Sequence, residues 1–233
     1  DEFTLMMTAL VLAALVVLPT RIEVAEGKIT AADLIGESAV TLGDVQRMRE
    51  VGLGQAPAAG QMRRIGGPYL RRLLRAAKVQ GVRVPAQIEL VGRADVVTAE
   101  QQLQAVTRYL KKRLGNNGQI NTVRAFQNVT EFKVPPGSRI TSVLPVSQNP
   151  FTARSAFKLE IRRRGQLVMR RYPQVTIQGK AQVRVASQTI SARREITASD
   201  FTLETMELSR VPAGALGRFQ ISGMLASRRI ATG

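Results

Sequence analysis

Apolar positions change their spacing twice along the chain, and each change marks a different kind of element. Residues 4–18 are almost continuously apolar. A helix of that length rises about 22 Å, short of the roughly 30 Å core of a bilayer. Pro19 breaks the run, and polar sequence follows from Arg21. This pattern predicts a targeting signal over residues 1–20, with an uncleaved anchor or a buried core helix as alternatives. Asp1 and Glu2 stand where a signal carries Lys or Arg, so the signal is expected to lack its first residues.

From Arg21 to about residue 115 the spacing is helical in places. Thr30–Asp33 and Thr41–Asp44 each set a Thr three residues before a carboxylate, a helix-start signature. Pro68 opens a third helix, with Tyr69, Leu70, Leu73, Leu74 and Ala77 as its apolar stripe. Arg71, Arg72, Arg75 and Lys78 form its wet face, and Gly81 is expected to end it. Thr98 caps a longer helix with Gln101 as its capping-box partner. Leu103, Val106, Leu110 and Leu114 recur at helical spacing, and Gly115 supplies the stop. Residues 82–84 and 88–91 read as short strands.

Beyond Asn116-Asn117-Gly118 the period becomes two. Phe157, Leu159 and Ile161 alternate with Lys158, Glu160 and Arg162, so one strand face is apolar. Arg164-Gly165 is a hairpin signal, and residues 175–177 and 183–185 continue the alternation. The expected class is α+β, with boundaries at 1–20 (signal), 21–115 (α/β domain), 116–185 (β-rich region) and 186–233. A hinge is expected near residues 115–118.

Composition narrows the chemistry. The 233 residues contain no Cys and no His, which excludes thiolate metal sites, Cys nucleophiles, Ser-His-Asp triads and imidazole acid–base work. Asp200, Glu204 and Glu207 could be drawn as an acid–base set, but a first-turn carboxylate and two solvated side chains account for them. Gly52-x-Gly54 lacks the third Gly of a dinucleotide loop. No enzyme, cofactor or metal site is expected. The net charge of +17 implies attraction to polyanions. Basic residues are spread along the chain with no nucleic-acid-binding motif. Two candidate basic faces stand out: Arg71, Arg72, Arg75 and Lys78, and the set Arg162, Arg163, Arg164, Arg170 and Arg171.

Residues 185–190 recur forty positions later as residues 225–230, which suggests a pseudo-symmetric β unit. Ile190, then residues 196–201, 211–216 and 223–233, follow in the order of a SAF-type β-clip domain, which this segment resembles. Arg193 stands where that pattern places a turn Gly. Upstream, residues 40–45, 56–61 and 69–77, with the hairpin at 163–168, are similar to the flagellar P-ring formation chaperones (the FlgA family). The resemblance implies a periplasmic chaperone that binds the P-ring protein and assists its assembly around the basal-body rod, with peptidoglycan as a further contact. Relatives continue beyond the residue matching Gly233, so an unpaired edge is expected there. Phe201, Leu203, Met206 and Leu208 are the candidate partner contacts in a β edge, with core packing as their alternative role. The alternative functions are a SAF-domain envelope protein of pilus assembly or cell-wall binding, or a basic nucleic-acid-binding protein.

Overall fold

The computed structural model describes residues 16–35, 42–212, 215 and 223–232. The signal expected over residues 1–20 lies outside them up to residue 15. So do Thr41 of the expected helix start, most of residues 213–222, and Gly233. The chain divides into two compact units, residues 1–95 with 133–136, and residues 96–132 with 137–233.

In the first unit the strands are short. They are β1 (Val16–Val17), β2 (Arg21–Val24), β3 (Lys28–Thr30), β4 (Gly52–Gln55), β5 (Met62–Gly66), β6 (Val82–Arg83) and β7 (Gln87–Gly92). The helices are α1 (Leu42–Glu50) and α2 (Gly67–Ala76). β7 lies at the centre of a three-stranded sheet, parallel to β2 and antiparallel to β5. A parallel neighbour requires a long crossover, and the segment holding α1 and α2 supplies it. Ile88, Leu90 and Val91 of β7 are buried, as expected of a strand covered on both faces. Leu34, Met48, Leu70 and Leu74 complete that core. Val16 and Leu18 belong to it as well, and β1 pairs in parallel with β6. The end of the apolar run is therefore packed in this unit.

α2 starts at Gly67, with Pro68 in its first turn where a missing N–H is tolerated, and ends sooner than expected. Ala77 is the C-cap, and Lys78 takes the left-handed position that follows it at φ 56°; Gly81, also left-handed at φ 72°, lies beyond the helix end. Lys78 N–H donates to Arg75 C=O and Val79 N–H to Leu74 C=O, both at 3.0 Å. That pair of bonds is a Schellman motif. Leu70 and Leu74 are buried, whereas Tyr69 is exposed, its ring 5.7 Å from the Arg72 guanidinium.

Two short strands, β8 (Asp95–Val97) and β10 (Phe132–Val134), carry the chain between the units. The second unit holds α3 (Ala99–Leu114) and β9 (Gly118–Gln127). It continues with β11 (Arg139–Pro145), β12 (Arg154–Arg163), β13 (Gln166–Arg171), β14 (Gln174–Ala186) and β15 (Phe201–Glu207). Its sheet runs β11-β12-β14-β15, with β13 on β12 and β9 on β14. Ser155, Phe157, Leu159 and Ile161 of β12 are buried in strict alternation. Residues 175–177 and 183–185 prove to be one thirteen-residue strand, β14, with the same alternation. The hairpin expected at Arg164-Gly165 is a two-residue loop between the paired Arg163 and Gln166, with φ of 48° and 83°. Positive φ at both positions gives the turn that matches strand twist.

α3 carries the full capping box. Thr98 Oγ1 accepts from Gln101 N–H at 3.2 Å, and Gln101 Oε1 accepts from Thr98 N–H at 3.0 Å. Val106, Leu110 and Leu114 are buried, and Tyr109 meets Phe157 edge-on at 5.9 Å. Because α3 and β9 lie in one unit, the turn at Gly115–Asn117, where a hinge is expected, joins two elements packed on each other.

Candidate partner-binding edge

β15 ends the sheet of the second unit. It pairs antiparallel with β14 from Ala186↔Phe201 to Lys180↔Glu207, and among the described residues it has no other strand neighbour. Ser187 N–H donates to Asp200 C=O at 2.9 Å, just beyond that ladder. Hydrogen-bonded and open positions alternate along an antiparallel strand. Residues 202, 204 and 206 therefore bond inward to β14, and the backbone amides of Leu203 and Thr205 face outward. Edges of this kind accept further strands unless charge or bulk prevents it.

The four side chains expected to bind a partner do not share a face. Leu203 is 67% exposed beside Arg184. Phe201 is half-buried against Ile190, Ile196 and Ala226. Met206 points to the opposite face from Leu203, opposite Ala181, and is half-buried. The strand stops at Glu207, and the tight turn Leu208–Arg210 sends Leu208 into the interior, where it is 1% exposed. Leu203 is the one large apolar side chain of the four that stands free. Thr202, Glu204 and Thr205 are exposed around it.

A buried carboxylate anchors the start of this strand. Asp200 is fully buried and ends the one-turn helix Ala198–Asp200. Its Oδ2 accepts from Thr197 N–H (2.8 Å) and Thr197 Oγ1 (2.9 Å). Its Oδ1 accepts from Gln188 Nε2 (2.8 Å) and Arg194 Nη2 (2.7 Å). The backbone bond from Thr197 chiefly holds this carboxyl below its ordinary range. The Gln188 and Thr197 side chains add to that and outweigh the opposing effect of burial, with a smaller contribution from the Arg194 charge. The network ties residues 188–200 together immediately before β15. The sequence offered Asp200 only as a first-turn carboxylate; its links to Gln188 and Arg194 are set by the turn between them.

Behind the edge, residues 187–200 and 223–232 form a small cluster of their own. Ile190 bridges Ile230, and Glu195 bridges Leu225. Arg193 adopts φ 65°, so an arginine occupies the left-handed turn that the SAF pattern gives to glycine.

A second charged group lies on the outer side of β12. Glu160, 12% exposed, faces Arg162 Nη2 at 3.0 Å, Arg170 Nε at 3.5 Å and Lys158 Nζ at 3.9 Å. Part of the second basic face of the sequence is thus neutralised locally. The hydrogen bond from Arg162 is the main cause that keeps Glu160 below the usual carboxylate range.

The fold is that of a two-unit α+β protein whose larger unit ends, among the described residues, in a β edge with no further strand on it. No family model matches the sequence, and no curated protein matches it. Among solved structures the chain is similar to Salmonella FlgA in closed form, with a TM-score of 0.37 and 18% identity over 57% of this chain and 63% of that one. The open form of Salmonella FlgA gives a TM-score of 0.35 and 18% identity over 58% of each chain. The flagellar protein FlgA of Thermotoga maritima gives 0.25 and 14% identity over 94% of this chain and 74% of that one. The chain thus spans about three fifths of the length of the Salmonella structures. All three are FlgA proteins, the family that the sequence motifs resemble.

Proposed function

We propose that this chain is a FlgA-type chaperone that works in the periplasm, holds P-ring subunits and helps assemble them around the flagellar rod. The observation that carries the reading is the open edge of β15, set beside the order of the sequence motifs. A ring subunit with an unsatisfied strand would add to the outward amides of Leu203 and Thr205. Backbone hydrogen bonds would give affinity, and the exposed Leu203 side chain would give selectivity. Such a contact is reversible, as delivery into a ring requires, and needs neither cofactor nor catalytic residue. Among the described residues no helix is long and apolar enough to cross a membrane. Export is part of the proposal and rests on the apolar run at the start of the chain. The 186–233 segment acts in it as a SAF-type β-clip that supports the edge.

The test uses the tagged chain and purified P-ring protein. Thr205→Pro removes an outward N–H and leaves the bonds to β14 in place, because Pro is tolerated where an edge amide faces solvent. The wild-type chain is expected to capture the ring protein. The variant should bind about tenfold more weakly, equivalent to about 1.4 kcal/mol, with an unchanged urea midpoint. Equal capture by both would refute strand addition. Failure of the wild type to capture the ring protein, with intact P-rings in a deletion strain, would refute the chaperone reading.

A further inference from the structure

The C-terminal end of α2 borders a cavity of about 420 Å³ in the first unit. Arg71, Arg75 and Lys78 stand around it, and Leu74, Val82 and Val84 supply an apolar wall. No carboxylate lines it. Among the described residues none of the three cations is in an ion pair; Arg71 Nη1 donates to Val84 C=O at 3.1 Å, which holds its fork in place.

The three cations are exposed and converge on one concavity at the C-terminal end of the helix. Arg71 and Arg75 are four residues apart on α2, a spacing at which like charges repel, and an anion between them would relieve the repulsion. Lys78 also sits at φ 56°, the left-handed position of the Schellman motif, where glycine is the usual residue. Converging cations beside an apolar wall, with no acidic residue among them, point from geometry to an anionic ligand with an apolar part.

We propose that this cavity binds a small ligand with a terminal carboxylate next to a short aliphatic group, the pattern at the free C-terminus of a peptide. The Arg forks match a carboxylate in two-bonded geometry. The apolar wall takes a methyl-sized side chain, in the manner of pockets that combine apolar surface with a few directed polar groups. A polyanion bound through spread charge would have no use for that wall. Two sources share this chemistry: the peptide stems of a wall polymer and the C-terminus of a protein. The site lies in the first unit and the β15 edge in the second, so the two proposals fail separately.

The experiment titrates the full chain with acetyl-Ala-Ala as the free acid and as the amide, following calorimetric heat and the methyl resonances of Val79 and Val82. The acid is expected to bind and the amide not to. Arg75→Gln should weaken binding about tenfold. Arg72→Gln, on the same helix but outside the cavity, should leave it unchanged. Comparing the D,D with the L,L isomer separates the sources: a D,D preference identifies a wall stem, an L,L preference a protein terminus. Equal binding of acid and amide, no binding of either, or an unaltered Arg75→Gln variant overturns the proposal.

Discussion

Ile190 and Ile230 exchange backbone hydrogen bonds in both directions, each 2.9 Å long. They are the matching residues of the two related segments 185–190 and 225–230, so the repeat meets itself across this pair. Reciprocal bonding between equivalent positions is what a local two-fold relation produces. The side chains are not equivalent: Ile190 is fully buried, and Ile230 is half-buried at the margin of the same cluster. Ile190→Ala should therefore lower stability by about 2–5 kcal/mol, and Ile230→Ala by less. Urea denaturation of both variants checks the order. A smaller loss for Ile190→Ala than for Ile230→Ala would show that the cluster is not packed this way.

Arginine at positive φ gives a second test. Arg164 (48°) and Arg193 (65°) are both exposed and both left-handed. A non-glycine residue in this region is strained by about 1–2 kcal/mol, and Asn and Gly tolerate it better. Arg164→Asn and Arg193→Gly are each expected to raise stability by about 0.5–1 kcal/mol. Neither change removes a backbone bond, since Arg193 keeps its N–H to Ala226 C=O at 2.7 Å. Melting temperatures of the two variants and their double mutant should rise additively; a fall in either would mean that its side chain makes a contact that matters more than the turn.

Local rules carried the sequence analysis where they were sufficient. The capping box of Thr98 and Gln101, the Arg164-Gly165 hairpin and the alternation of β12 involve neighbouring residues, and each stands in the structure as its pattern predicts. Residues 82–84 and 88–91, read as short strands, stand as β6 and β7, but β4 and β5 were missed because they carry almost no alternation. β4 and β5 bury one residue each, Leu53 and Ile65. Gln102 was missed for a different reason. It is 1% exposed on the buried face of α3, and its Nε2 donates to Thr98 C=O and to Thr130 C=O, twenty-eight residues away. No periodicity announces a polar residue placed by a distant loop. The candidate edge was legible as a strand; Met206, three residues from Leu203, falls on the other face by the strand's own alternation, and only the turn after Glu207, which sends Leu208 inward, was not legible. One signal was available and unused. Residues 29–34 and 196–201 share Ile, Thr, Ala and Asp at matching places. In both, the Asp carboxylate accepts from the Thr backbone N–H and hydroxyl. Comparing the two segments would have shown that the same staple is used in each unit.

Acid should unfold the second unit in a way that depends on Asp200. Its carboxyl, like that of Glu160, is held below the ordinary range in the folded chain. The unfolded chain then takes up protons at a higher pH than the folded one. The stabilisation from each group is therefore complete above the ordinary carboxylate range, near pH 4. It is lost as pH falls toward the lowered folded values. Asp200→Asn should be less stable than wild type at pH 7, and its urea midpoint should fall less steeply between about pH 5 and pH 2. Parallel pH profiles for the two proteins would show that Asp200 is not the source of the acid sensitivity.

Gly179 lies where β14, β9 and the turn after β15 converge. A Cβ built there would collide with the carbonyl oxygen of Gln119 and come within 2.7 Å of Leu208 Cδ1 and 3.0 Å of Ile120 Cα. The missing side chain is what admits Leu208 to the interior, and Leu208 follows the candidate edge directly. Gly179→Ala should thus destabilise the protein by about 1–3 kcal/mol, the usual effect of crowding a packed interior. The obstacle has a rigid part, the β9 backbone, and a removable part, the Leu208 methyl. Leu208→Ala alone should also destabilise, by leaving a cavity. In the double variant the new methyl occupies some of that cavity, so the combined loss should fall short of the sum by about 0.5 kcal/mol or more, as for residues in contact. Strict additivity would mean that the Gln119 carbonyl alone sets the limit and that Leu208 packs without help from Gly179. A double-mutant cycle in urea, with capture of the P-ring protein measured alongside, would also show whether loosening Leu208 disturbs the edge that follows from it.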